Sequence, residues 1–452
     1  MVKNILTILI LIMGIVGLIV AKENILLGSV LLGLVAFNLF IILIRNPEFS
    51  LAILFNGTLI YFYLIYKLGL GTSKLLTGSF YGCLAFFYIL GGILIIAKKQ
   101  KFRVDSIDIL FFIFLFWVFL SYFLFSKENE LAYQKITYAP FLVIAPYIGI
   151  RLLSSEESIK KFFKYCVIIP TILIIPAFYE LFFNPIFSEY SRFSIYMFEG
   201  GKDNPILFGI TFAIMLTILF VWVLEQKKFK FKYLILIILS MFLLLRSGSR
   251  GAVISFLSAI LFYIFIIKRV KLQTKVYTII FATLLFLSCY KLLPDSVKGF
   301  YQYTFTPEAR SDEISSVYQR LTMWKMAIND FKENPIFGVG TGNSVEGIGF
   351  PHNILLEVAA ELGIIGLFIF ILLCYLTIWK AITFIKRNEK HSLDLNILMK
   401  LSLILFIYSL TEAMFSGLIT NQTWLFMSIG LIVSLTKLRL NSQKNSLETK
   451  IL

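Results

Sequence analysis

Apolar runs of membrane-spanning length recur along almost the whole chain, from Ile5 to Leu435, and a single long polar stretch, Pro294 to Pro351, interrupts them. A helix needs roughly 20 apolar residues to cross the hydrocarbon core, where backbone N–H and C=O groups must satisfy one another. With 59% hydrophobic and only 15% charged residues in a chain of 452, a water-soluble core could not hide so much apolar surface. A barrel would instead show short strands of alternating character. The pattern predicts an all-α, polytopic transmembrane helical bundle of about 12 to 14 spans with a large helical outer loop.

The first half divides into spans at Ile5–Val20, Ile25–Ile44, Leu51–Tyr66, Phe80–Ile96, Ile107–Phe125, Tyr138–Leu153 and Phe163–Phe183. The second half continues with Pro205–Leu224, Tyr233–Leu245, Gly251–Ile267, Val276–Leu293, Leu355–Trp379, Leu395–Met414 and Thr423–Leu435. Lys3 before an apolar stretch has the look of a signal peptide, but a second span follows at once, so an uncleaved helix is expected.

Cations set the expected orientation. Lys98 to Arg103, Arg151 to Lys164, Lys227 to Lys232, Lys268 to Lys275, Lys380 to Lys390 and the tail from Lys437 all share one side. That side carries about 26 Lys and Arg against about 15 on the other, which places both termini in the cytoplasm and the long polar stretch outside. The same distribution accounts for the net charge of +16 without a nucleic-acid partner. Cys83, Cys166, Cys289 and Cys374 fall within spans, with no metal-type spacing and no outward pair for a disulfide.

The outer loop Pro294 to Pro351 contains a helix of its own between Ser315 and Lys332. Val317, Leu321, Trp324, Ile328 and Phe331 recur at helical spacing, leaving Gln319, Arg320, Lys325 and Asp330 on other faces. Such a helix either roofs a cavity at the membrane surface or simply plugs the end of the bundle. The following Gly338-Val339-Gly340-Thr341-Gly342 lacks the Lys-Ser/Thr and the preceding strand of a nucleotide loop, and reads as a flexible turn.

Three outward features can carry chemistry. In Arg246-Ser247-Gly248-Ser249-Arg250, which joins two spans, Ser247 or Ser249 can cap the next helix, and its N-terminus beside two guanidinium groups can take an anion. The alternative is a pair of arginines snorkelling to headgroup phosphates. Arg320, on the loop helix, has the geometry for phosphate or carboxylate, or is a solvated helix residue. His352 follows Pro351 at the start of a helix, whose dipole favours neutral imidazole, a state that suits either a general base or a packing residue. His391 lies in a cytoplasmic charge run and reads as solvated.

Taken together, Ser247-Gly248-Ser249-Arg250-Gly251, Arg320-x-x-x-Trp324, Pro335-x-x-Gly338-x-Gly340, Pro351-His352-Asn353 and Glu361-Leu362-Gly363 resemble the signature of the O-antigen ligase and polymerase superfamily. The resemblance covers roughly Phe231 to Trp379 and divides the chain into N-terminal helices 1–230, a core 231–384 containing the outer loop 294–351, and C-terminal helices with a tail, 385–452. It implies a GT-C-like, metal-independent, inverting glycosyltransferase of the bacterial inner membrane. Such an enzyme moves an oligosaccharide from a polyprenyl (undecaprenyl) diphosphate carrier to an acceptor hydroxyl on the periplasmic or outer face. It implies no cofactor. Arg250 and Arg320 take the diphosphate, and His352 becomes the base or a donor-binding residue. Arg246 and Arg192 join the diphosphate set by position alone, and Asp203 and Glu412, near outer span ends, are reserve candidates for the base.

The expected partners are the carrier-linked donor, a glycan or lipid-linked acceptor, membrane lipid and a chain-length regulator. A slightly acidic outer loop, with Lys298, Arg310, Arg320, Lys325 and Lys332 against Asp295, Glu308, Asp312, Glu313, Asp330, Glu333 and Glu346, tilts the reading toward a polymerase of O-antigen or capsule repeat units. A ligase acting on lipid A core is the alternative. A flippase for the same glycolipid is the rival of another class, and would call for ionisable or broken-helix features near the midplane and for repeat symmetry between the halves; neither is legible.

Overall fold

The computed structural model describes residues 46–67, 104–127, 129–153, 155–184, 192–195, 204–226, 231–267, 272–295, 297–298, 311–345, 349–387, 393–416 and 418–451. The spans expected at Ile5–Val20, Ile25–Ile44 and Phe80–Ile96, together with Cys83, Asp203 and His391, lie outside the described residues.

Among the described residues there is no β-strand. The helices run α1 (Pro47–Lys67), α2 (Ser106–Phe125), α3 (Glu130–Ala139), α4 (Ala145–Arg151), α5 (Glu156–Phe183), α6 (Pro205–Glu225) and α7 (Phe231–Arg246). They continue with α8 (Arg250–Phe262), α9 (Leu272–Lys291), α10 (Ser311–Glu333), α11 (Ile354–Arg387), α12 (Leu393–Glu412) and α13 (Thr423–Ile451). A π-helical turn, Pro140–Ile144, joins α3 to α4, where Pro140 cannot donate and the next proline, Pro146, again lacks an N–H. Among the described residues six helical stretches are long and apolar enough to cross a membrane: Ser106–Phe125, Glu156–Phe183, Pro205–Glu225, Arg250–Ile267, Ile354–Arg387 and Asp394–Glu412.

Helix α6 is apolar on every side and is the most enclosed of these, packed against α7, α8 and α12. An all-round apolar helix belongs inside a bundle, whereas α2 and α5 leave Phe116, Phe123, Ile175 and Phe182 on the outside. Such exposed side chains suit a lipid solvent. The chain thus forms an integral membrane protein whose central helices α6, α8 and α12 carry the site at one end.

The ion pairs sort the helix ends into two groups. Lys380 meets Asp105, Arg151 pairs with Asp108 at 2.7 Å, and Lys160 reaches Asp394 at 2.9 Å, so these ends lie together. At the opposite end Lys135 binds Glu357 and Glu361, both at 2.5 Å. All three side chains are buried. Glu357 also accepts from the Ile419 N–H with both oxygens at 3.2 Å. This triad ties α3 and the turn before α13 to the first turns of α11.

Two expectations about this end change. The glycine-rich segment is a turn, but it is a close-packed stitch. Val339 N–H donates to Ala360 C=O at 2.9 Å and Gly340 N–H to Glu361 C=O at 3.1 Å, so these donors face protein. Gly342 has φ +83°, and a Cβ there would lie 2.4 Å from the Ala132 Cα, which only glycine avoids. Second, α11 is broken at Gly363 (φ 65°, ψ −166°), contrary to the reading that no broken helix is present. The groups freed by the break are taken up: Ile364 N–H donates to Pro335 C=O at 2.8 Å, and the Leu362 and Glu361 carbonyls accept from Trp117 Nε1 (3.1 Å) and Ser121 Oγ (3.3 Å). A lone glycine in an apolar run reads as a tolerated helix residue, so neighbours distant in sequence were needed to see the break.

Candidate functional site

The site gathers where the corner between α7 and α8, the loop helix α10 and the start of α11 meet. The corner is tight because Gly248 adopts φ +65° and Arg250 N–H returns to Gly248 C=O at 3.1 Å. Neither serine caps α8 with its side chain. Ser247 Oγ donates to Leu244 C=O at 2.6 Å and accepts from Ser249 N–H at 3.1 Å, so it closes the corner back on α7, and Ser249, the cap residue, makes no side-chain cap bond. The expected serine cap is therefore corrected, and the first N–H groups of α8 remain uncapped by side chains beside Arg250.

Helix α10 turns a different face inward from the one its apolar spacing suggests. Met323 and Ala327 are buried against α11 and Val345, while Leu321 is 48% and Ile328 41% exposed. Arg320, expected to point away, is half-buried on the inward side, because residues three and four apart share a helix face and Met323, Trp324 and Ala327 define it. The spacing of the Arg320-x-x-x-Trp324 motif thereby acquires a physical meaning. Trp324 Nε1 donates to Pro351 C=O at 2.8 Å and holds the Pro351-His352 peptide, while Arg320, one turn earlier, acts electrostatically on His352.

His352 itself has φ +53°, a conformation that costs roughly 1–3 kcal/mol for a side-chain-bearing residue and that persists only where neighbours impose it. They do so on both sides. Trp324 pins Pro351, and Asn353 caps α11 by accepting from Leu355 N–H (3.1 Å) and Leu356 N–H (3.2 Å). Ile354 N–H donates to Ala413 C=O at 3.0 Å, locking the start of α11 to the end of α12. The ring sits 4.1 Å from Phe350, and its buried Nδ1 makes no hydrogen bond among the described residues.

Electrostatics link the sequence candidates. Burial first, then the guanidinium groups of Arg250 and Arg192, hold Arg320 below the ordinary arginine value. Burial and then Arg320 push His352 down to about 4. Arg192, Arg250, Arg320 and His352 thus form one cluster. Arg246 is placed differently: it is 1% exposed, with its guanidinium 5.8 Å from the Phe193 ring and its C=O accepting from Phe193 N–H at 3.2 Å. It anchors the segment that presents Arg192. Glu412, buried at the end of α12, shares a cavity of about 410 Å³ with His352, Tyr408 and Ser409.

Sequence reasoning missed Lys135, and did not give Glu357 and Glu361 their part. The available signal was two carboxylates four residues apart on one face of an otherwise apolar helix, which demands a buried cation.

A buried imidazole beside Arg320, which Arg250 and Arg192 act on in turn, predicts a measurable response. His352 is depressed relative to its ordinary 6.5, so the folded state binds fewer protons than the unfolded one between pH 4 and 6.5. Its contribution to stability is complete above pH 6.5 and is lost as pH falls through that window. An anion among the arginines reverses the field, so inorganic diphosphate is expected to raise the His352 value by about 1 unit or more. The chain has two histidines, so imidazole NMR with a His391→Gln control reads it directly.

These features define a helical integral membrane protein with a cationic cluster and a strained histidine at one end. The family model described as O-Antigen ligase matches residues 234–371, a segment that runs from α7 into α11 and includes Arg246, Arg250, Arg320 and His352. This segment is accordingly similar to the O-antigen ligase family, and the match supports the superfamily that its motifs resemble. No curated protein matches the chain.

Proposed function

We propose that the protein is an inverting membrane glycosyltransferase that moves an oligosaccharide from a polyprenyl (undecaprenyl) diphosphate carrier to an acceptor sugar hydroxyl on the outer face of the membrane, polymerising O-antigen or capsule-type repeats. The observation that carries this reading is the convergence of Arg192, Arg250 and Arg320 beside His352 within and next to the family-matched segment.

In this reading the diphosphate lies among the three guanidinium groups and the uncapped N-terminus of α8. As the bond from the anomeric carbon to the phosphate oxygen breaks, negative charge grows on the leaving diphosphate, and cations already in place lower the barrier. The acceptor oxygen attacks from the opposite face, forming the new glycosidic bond, and its proton passes to His352. A base held near 4 is weak in the unliganded protein; the bound diphosphate raises it toward the working range. Polar groups of Asn204, Asn421 and Gln422, with Glu412, line the cavity next to His352 and suit sugar hydroxyls. Asp203, outside the described residues, stays a reserve base. The flippase alternative gains from the break at Gly363 and the buried Lys135 triad, but the freed backbone groups are bonded by Trp117, Ser121 and Pro335, which leaves them no role in carrying an ion.

Purified protein given only carrier-linked repeat units is expected to produce a ladder of longer carrier-linked glycans. Transfer only after addition of lipid A core, with no ladder, would replace the polymerase reading by the ligase one.

A further inference from the structure

The cavity beside His352 is distinct from the arginine cluster. Arg192, Arg246, Arg250 and Arg320 are all absent from its lining, whereas the buried carboxylate of Glu412 is part of it. A diphosphate finds no guanidinium in that lining, and a polyprenyl tail gains nothing from its carboxyl, hydroxyl and amide groups; sugar hydroxyls can bond to them. Its polar lining is built. Tyr408 is 1%, Ser409 2% and Glu412 6% exposed, and all three sit on the last turns of α12, with Tyr408 and Glu412 four apart on one face. Tyr408 Oη, Ser409 Oγ and His352 Nδ1 are buried and make no hydrogen bond among the described residues. Buried polar atoms are nearly always satisfied, so several orphans around one cavity point to a polyhydroxylated occupant. Trp424 and Phe350 add apolar ring surface, and about 410 Å³ falls in the range of roughly 300–1,000 Å³ typical of small-molecule sites.

We infer that this cavity is the acceptor-sugar subsite. It seats the ring whose hydroxyl attacks, with Glu412, Tyr408 and Ser409 bonding that ring's other hydroxyls and His352 facing the attacking one. Inversion requires the nucleophile to approach opposite the leaving diphosphate, and a cavity lined by His352 but by none of the arginines suits the attacking side. The inference rests on the glycosyltransferase reading above.

The test uses the full-length protein in lipid nanodiscs. The donor is undecaprenyl-diphosphate-linked oligosaccharide, and the acceptor probe is the free oligosaccharide released from it by mild acid. Glu412→Gln and Tyr408→Phe, which preserve shape, are each expected to raise the probe's KM about tenfold or more, as loss of a hydrogen bond to a charged or buried partner does, with donor KM within about twofold of wild type. An unchanged probe KM in both variants, or a rise confined to donor KM, overturns the inference while leaving the enzyme reading intact. If the wild-type protein transfers nothing, the enzyme reading fails, and binding of the same probe, read by Trp424 fluorescence with Trp424→Phe as control, still decides the cavity. Probe binding that is absent, or indifferent to Glu412→Gln and Tyr408→Phe, overturns it.

Discussion

Arg320→Ala is expected to lower kcat for glycan transfer by about 10²–10³ at saturating donor, the loss typical of removing one preorganised group that meets charge developing in the transition state. The expectation comes from where Arg320 sits. It is half-buried on the inward face of α10, close enough to feel Arg250 and Arg192 and to act on His352. Arg320→Lys is expected to recover only part of the rate, because a point charge cannot reproduce the planar fork that grips a diphosphate. Arg250→Ala is expected to behave like Arg320→Ala, and the double variant to lose less than the product of the single losses, since the two serve one anion. Rates with a fixed carrier-linked donor, with protein amount normalised by quantitative blotting, check this. Wild-type rates in Arg320→Ala and Arg250→Ala would remove the cluster from the chemistry.

The second large effect is on stability. Lys135→Met is expected to destabilise the protein by about 3–5 kcal/mol, because it leaves two buried carboxylates without their cation. Lys135 contacts Glu357 and Glu361 at 2.5 Å, and all three side chains are 2% exposed or less. The triple change Lys135→Met, Glu357→Gln, Glu361→Gln is expected to regain a substantial part of that loss, which separates uncompensated charge from lost packing. Thermal unfolding in detergent reads both variants. Because Glu357 also holds Ile419 N–H, the single variant is expected to loosen the turn that closes the acceptor cavity as well.

The parts legible in the sequence were those that local spacing encodes. Spanning length and apolar content give the helices, since a bilayer permits little else. Arg320 and His352 were legible through their motif, and the structure supplies the reason for its spacing: one helical turn separates the residue that pins Pro351 from the residue that acts on the imidazole. What stayed hidden depends on partners far along the chain. Lys135 stands 222 residues from Glu357, and nothing local marks it as buried. The inward face of α10 was misread because Leu321 and Ile328 are apolar yet face outward, where lipid or headgroups make an apolar side chain unremarkable. Gly363 reads as a tolerated glycine until Pro335, Trp117 and Ser121 are seen to take over the bonds of a broken helix. Glu412 was legible only as a carboxylate near a span end; its cavity requires α6, α12 and the Phe350-to-His352 loop to be brought together.

Breaking of a glycosyl–diphosphate bond at the arginine cluster and His352 is read most directly as release of free undecaprenyl diphosphate by purified protein in nanodiscs supplied with carrier-linked oligosaccharide. One carrier diphosphate is expected to be freed per glycan unit transferred, with both quantities falling together in Arg320→Ala and His352→Ala. Carrier-linked oligosaccharide that stays intact while crossing the bilayer of proteoliposomes would contradict it.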